Sequence, residues 1–322
     1  MHAPINTRLS IVIPLYNSAE ILPHLLDRLE ATLPKITRDY EIILVNDGSS
    51  DDTWMRVQEQ VETRSHLVAL NMMRNYGQHN ALLAGIRLAR YPLCVTMDDD
   101  LQNPPEEIQK LLAALTPEVD VVYGAPQVEK HNLTRRLASR TTKLVLSHSM
   151  NVAVAEQVSA FRLFRTELRN AFAAYRGPFV NIDVLLTWGT IRFAVAQVAH
   201  DERIAGVSNY TFGRLATHAI NMITGFSALP LQVTSLFGLA MAMFGGLVLM
   251  YVLGRYLIQG SPVPGFPFLA SIIALFSGAQ LLSLGIIGEY LWRMYFRVMD
   301  QPSYVVCTQL SSEVASDPSA NL

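Results

Sequence analysis

Short apolar runs alternate with segments of helical period over the first two hundred residues. Residues 9–14, 41–45, 67–71, 92–97 and 119–124 each read as a buried strand. Between them Ile21, Leu25 and Leu29 recur at helical spacing, predicting a helix over 20–33 with Ser18 as its cap. Further helices are predicted up to Glu62, from Arg74-Asn-Tyr-Gly-Gln-His-Asn80 to Ala89, and from Glu106 onward behind Pro104 and Pro105. Strands alternating with helices through short polar connections give a mostly parallel sheet covered on both faces. Each polar cluster follows the carboxyl end of a strand. Asp47, Asn75 and the triplet Asp98, Asp99 and Asp100 are therefore expected on one edge, where such sheets bind ligands. Residues 159–164 and 193–200 read as two more strands, 179–188 as a helix carrying Asp183, and 200–211 as a polar loop.

The pattern changes after residue 211. Leu215, Ala219, Met222, Ile223 and Phe226 share one helical face, which fits a core helix or, as its place just before Pro230 favours, an amphipathic helix on a bilayer surface. Residues 233–258 and 268–287 are long, apolar and almost uncharged, and a tight Gly/Pro turn joins them. They read as a transmembrane hairpin, the alternative for each being a buried core helix. Arg203 and Arg214 precede the hairpin, Arg293 and Arg297 follow it, and only Arg255 lies at its far end. That asymmetry puts both termini in the cytoplasm. The expected organisation is a cytoplasmic domain (1–211), a juxtamembrane helix (212–230), a hairpin (231–288) and a cytoplasmic tail (289–322), with an edge strand over 303–307. Gly238, Gly245 and Gly246 are compatible with close span packing and a homo-oligomer.

Charge narrows the chemistry. With 27 acidic and 25 basic residues the chain lacks the basic excess that nucleic acid demands. Its two cysteines define neither a disulfide framework nor a zinc site. The dinucleotide fingerprint and the P-loop pattern are both absent. Three consecutive carboxylates ending a buried strand repel one another, and a hard divalent cation would relieve this. Gln102 falls on the same side as Asp98 and Asp100 if the strand's alternation persists that far. The alternative is a solvated acidic loop. Lys130, His131, Arg135, Arg136, Arg140 and Lys143 make either a solvated helix face or a cationic wall for phosphates. His79 and His200 read as loop hydrogen-bonders.

These residues resemble a known family. Ile13-Pro-Leu-Tyr-Asn17, Val45-Asn-Asp-Gly-Ser49, Arg74-Asn-Tyr-Gly77, Asp98-Asp-Asp-Leu-Gln-Asn-Pro-Pro-Glu106, Phe161-Arg-Leu and Arg203-x-x-Gly-x-Ser-Asn-Tyr-Thr211 precede two spans. The chain is similar to family 2 glycosyltransferases of GT-A fold, in the polyisoprenyl-phosphate branch that includes dolichyl-phosphate mannose synthase and the bacterial GtrB and ArnC enzymes. The resemblance implies an inverting transferase of the inner (plasma) membrane, moving one sugar from a UDP- or GDP-linked donor to a polyprenyl phosphate. It implies that Pro14, Tyr16, Asn17, Asp47, Asp98 and Asp99 hold the nucleotide. Asp98, Asp100 and Gln102 would take Mg²⁺ or Mn²⁺ and the diphosphate. Arg203, with Arg135, Arg136, Arg162, Ser208 and Asp183, would meet phosphates or acceptor. Relatives often carry Gly-Asp where this chain has Ser159-Ala160, and Ser-Lys-Tyr where it has Ser208-Asn209-Tyr210. A hydroxyl acceptor with Asp183 as base, and a non-catalytic membrane scaffold, are the competing readings.

Overall fold

The computed structural model describes residues 7–126, 154, 157–177, 179–201, 229–259 and 265–312. The chain divides into two compact units, Met1–Leu215 with Asp300–Leu322, and Ala216–Met299. The first holds an eight-stranded sheet, ordered β7-β5-β6-β4-β1-β2-β3-β8. Its strands are β1 (Leu9–Leu15), β2 (Tyr40–Asn46), β3 (Leu67–Met72), β4 (Leu93–Thr96), β5 (Val121–Pro126), β6 (Arg162–Arg165), β7 (Phe193–Val198) and β8 (Val306–Ser311). Its helices are α1 (Leu22–Ile36), α2 (Thr53–Thr63), α3 (Gln78–Leu88), α4 (Ile108–Ala114) and α5 (Ile182–Gly189).

Alternation along the strands divides the core between the two faces. Leu9, Ile11, Ile13 and Leu15 of β1 pack with Leu25, Leu29 and Leu33 of α1 and with Val57 of α2 on one side. Val12, Ile43 and Val45 pack on the other side with Ala81, Leu82 and Ile86 of α3 and with Leu185 of α5. Because both faces are covered, β1 is buried along its whole length, which is why it reads as an almost unbroken apolar run. The four strands β1 to β4 run parallel, so their carboxyl ends share one edge. Two antiparallel strands complete the mixed sheet. β6 inserts between β4 and β5, and β8 covers the free edge of β3. β8 lies a few residues beyond the expected 303–307.

Local differences from expectation have local causes. α1 begins at Leu22 with Ile21 at its cap position and no side-chain cap, so Ser18 does not cap it. β4 stops at Thr96, two residues before the Asp triplet, and a short 3₁₀ turn over Pro105–Glu107 precedes α4. The strand alternation expected to carry Gln102 alongside Asp98 and Asp100 therefore does not reach it. Both cysteines read from the sequence as small apolar fillers; Cys94 is buried in β4 as such, but Cys307 is exposed in β8, which corrects that expectation for it.

The second unit contains α6 (Leu229–Gln259) and α7 (Phe266–Val298), of 31 and 33 residues. The expected spans fall on these two helices. Among the described residues one segment, Leu231–Val252, is long and apolar enough to cross a membrane. A side chain at Gly245 of α6 would come within 2.8 Å of the Phe276 ring of α7. That glycine allows close packing between these two helices.

Candidate active site

Four loops leave the carboxyl ends of β1 to β4, and side chains knit them together. After β1, Asn17 adopts a left-handed backbone (φ 56°) and accepts from the Ser50 amide through Oδ1 at 3.0 Å. Its own amide donates to Ser49 Oγ at 3.0 Å, and Ser49 in turn donates to Asn46 at 2.5 Å. Asn46 reaches across to Asn71 at 2.8 Å, tying the end of β2 to β3. Asp47, only 3% exposed, accepts from the amides of Tyr76 and Gly77 at 2.7 and 2.8 Å. Burial pushes the Asp47 carboxyl above its ordinary value, although those two amides and the charge of Arg74 pull the other way.

Gly48 lies where the second and third loops touch. Its φ is +62°, and a Cβ there would stand 2.4 Å from the Arg74 carbonyl carbon and 2.5 Å from the Asn75 nitrogen. Backbone cannot swing aside as a side chain can, so Gly48→Ala is expected to cost about 2–3 kcal/mol and to pry the two loops apart. Urea unfolding of the variant measures this; a loss below about 0.5 kcal/mol would mean that the loops yield.

The Asp triplet sits beyond β4, each carboxylate half-buried and hydrogen-bonded by a neutral group. Gln78 at the start of α3 donates to Asp98 at 2.5 Å, and the Ser18 hydroxyl donates to Asp99. The Gln102 amide closes back onto Asp100 Oδ1 at 3.1 Å. Leu101 between them takes a left-handed backbone (φ 58°), an uncommon state for a bulky residue, and buries its side chain in the core beneath the loop. The triplet is thus spread over three separate donors, and not bundled around one point. Among the described residues no three His, Cys, Asp or Glu side chains are grouped to hold a metal ion. Asp98 and Asp100 nevertheless offer hard carboxylate oxygens. That donor set suits Mg²⁺ or Mn²⁺ completed by phosphate oxygens and water.

Other expected site residues are placed differently from one another. Tyr16 is exposed at 51%, its amide donating to the Ser18 hydroxyl that bonds Asp99, whereas Pro14 is buried within β1. Asp47 braces the 74–77 loop through both of its oxygens, each accepting one amide, and a carboxylate with about four lone-pair sites keeps acceptor capacity beyond those two. Arg162 and Asp183 form an ion pair, 1% and 6% exposed, and the Tyr123 hydroxyl donates to the same Asp183 oxygen at 3.0 Å. An arginine so enclosed and so partnered is not offered to an incoming phosphate. Burial, with the Asp183 charge second, pushes the Tyr123 phenol well up. Arg135, Arg136, Arg203 and Ser208, and the amphipathic helix, lie outside the described residues. His79 accepts from the Ile182 amide at 3.3 Å, as a loop hydrogen-bonder would.

Three residues escaped sequence reasoning. Ser18 reads from the sequence as a helix cap. Gln78 carried no signal beyond its place in a polar run. Arg74, stacked 4.3 Å over the Tyr76 ring, brings a cation to this edge; its position in the third motif was the available clue.

Residues 10–172 match the profile of "Glycosyl transferase family 2". The chain belongs to that family. As a glycosyltransferase it carries a GT-A-like α/β fold with a mixed, mostly parallel sheet. It is similar to the undecaprenyl-phosphate 4-deoxy-4-formamido-L-arabinose transferase of Pseudomonas aeruginosa (strain LESB58), with 36% identity over 97% of this chain and 93% of that protein. The transferase of the same name from Klebsiella pneumoniae is 34% identical over 93% of this chain and 92% of its own. A structure of glucosyl-3-phosphoglycerate synthase from Mycobacterium tuberculosis with Mn²⁺, UDP and glucosyl-3-phosphoglycerate aligns with 68% of this chain and 78% of its own, at 17% identity and a TM-score of 0.48. That likeness is too slight to carry a statement about this glycosyltransferase.

Proposed function

We propose that this glycosyltransferase moves a single sugar from a nucleotide-sugar, UDP- or GDP-linked, to undecaprenyl phosphate at a membrane face. The observation that carries the choice of acceptor is the Arg162–Asp183 pair. A hydroxyl acceptor needs a base, and Asp183 was the candidate. Taking up a proton there would strand the Arg162 charge in the core without its counter-ion. A lipid phosphate needs no base, since a phosphate monoester is largely ionised near neutral pH, its second pKa being about 6. Its oxygen can displace the nucleoside diphosphate directly, which predicts inversion at the anomeric carbon. The relatives' names support the same acceptor.

In this reading Tyr16 and Asn17 receive the nucleotide, with Asp99 held toward them by Ser18, while Asp47 braces the loops around it. Asp98 and Asp100, with Gln102 near them, would hold Mg²⁺ or Mn²⁺. Bound there, the ion neutralises charge developing on the departing diphosphate. Arg74 supplies fixed positive charge at the same edge, and Arg203 with Arg135 and Arg136 supplies it on the acceptor side. Residues 1–211 form the catalytic part, 212–230 the surface helix and 231–288 the membrane hairpin. Both termini lie in the cytoplasm, as the arginine asymmetry favours.

Purified full-length protein, supplied with Mg²⁺ or Mn²⁺, is expected to consume a nucleotide-sugar only when a short polyprenyl phosphate is present. The 4-deoxy-4-formamido-L-arabinose donor is the first to try. The product is a sugar-phosphate-lipid, seen by mass spectrometry. Donor turnover indifferent to the lipid phosphate would move the acceptor to a hydroxyl or to water.

A further inference from the structure

The loop that bears Asp100 is fastened from outside the site. The Asp201 amide, just beyond β7, donates to the Gln102 carbonyl at 2.9 Å, and the Gln102 amide donates to Asp100. Nearby, the Ala199 amide donates to Glu107 Oε2 at 2.8 Å. Arg28, on α1, grips both sides of this junction. Its guanidinium pairs with Glu106 at 3.1 Å and with Asp201 at 3.4 Å, and Thr32, one turn on, donates to Glu106 at 3.3 Å. The three charged side chains are 32%, 51% and 49% exposed, and pairs this open to water add little to stability. Ion pairs that add so little to the fold, at a junction that reaches Gln102 two residues from Asp100, call for another role.

We propose that Arg28 is a positioning residue: by clamping Glu106 to Asp201 it holds the segment after β7 against the Gln102 carbonyl and so fixes the backbone that aims Asp100. The proposal rests on the reading that the 98–102 loop works on the donor diphosphate. The group that moves without the clamp is the Asp100 carboxylate. Affinity for a divalent ion and turnover should therefore fall together, while the fold stands.

The test uses the full chain in detergent, with Arg28→Ala, Arg28→Lys and Asp100→Ala side by side. Expected for Arg28→Ala is a turnover number reduced about tenfold, because small misplacements in an active site are costly. Donor KM should stay within about twofold and the unfolding midpoint within about 2 °C of the parent, as the loss of an exposed pair allows. Binding of Mn²⁺ alone, followed by its electron paramagnetic resonance signal, should weaken several-fold. Lysine at 28 reaches one carboxylate but not both, and should restore part of the turnover. Arg28→Ala with parental turnover and Mn²⁺ affinity overturns the clamp, and so does a loss of turnover matched by an equal loss of folded protein. If Asp100→Ala itself binds Mn²⁺ and turns over normally, the reading of the loop fails and the clamp falls with it. Asp100→Ala inactive beside Arg28→Ala unimpaired removes the clamp alone.

Discussion

Asp100→Ala is expected to lower transfer by about a thousandfold while the unfolding midpoint stays within about 2 °C. The size follows from what the carboxylate would do. A leaving nucleoside diphosphate gathers negative charge, and on the proposed reading a cation offsetting it would take Asp98 and Asp100 as its protein ligands. Losing preorganised charge stabilisation of this kind typically costs about 10²–10³ in rate, and loss of the ion itself sits at the upper end. The fold should scarcely register the change. Asp100 is half-buried, and the loop around it is held by the buried Leu101 side chain and by the Asp201 amide on the Gln102 carbonyl. Radiolabelled donor consumption and a thermal melt on the same preparation decide the matter. Turnover above a tenth of the parent would take Asp100 out of the donor site.

Asp183→Asn should do the reverse. Its carboxylate neutralises Arg162 in the interior between β6 and α5, and the amide would keep the Tyr123 hydrogen bond but strand the guanidinium charge. Removing one partner of a buried pair costs about 3–5 kcal/mol, and the midpoint should fall by about 10 °C or more in a domain of this size. Turnover per folded molecule should stay within about threefold of the parent, because no proton has to pass through residue 183 when the acceptor is a phosphate. A variant that melts normally but has lost turnover a hundredfold or more would restore Asp183 as a base. The acceptor would then be a hydroxyl.

Much of the sheet is legible in the chain because its physics is local. Strands buried on both faces must be apolar throughout, as residues 9–15 and 40–46 nearly are, and Asn, Asp, Gly and Ser mark the turns between them. The convergence of the four loops followed from parallelism alone. What stayed hidden depends on pairings that no window of sequence contains. Ser18 looks like a helix cap until Asp99, 81 residues away, is brought to its hydroxyl. Arg28 looks like any solvated position on α1. Arg162 and Asp183 read as separate polar residues until β6 runs antiparallel between β4 and β5 and sets one against the other. Strand order, more than strand identity, was the missing information.

The placement of β8 bears on how the protein is made. Until residues 306–311 have been synthesised, β3 presents an unpaired edge, and two long apolar helices must leave the ribosome first. At about 5–20 residues per second that interval lasts on the order of ten seconds or more. An open apolar edge is a template for pairing with another chain throughout that time. The catalytic sheet is therefore closed last, by a strand made after the apolar helices. A chain cut before residue 300 to gain solubility would carry that edge permanently. A chain without the two long helices would keep that edge covered only if it retained residues 306–311.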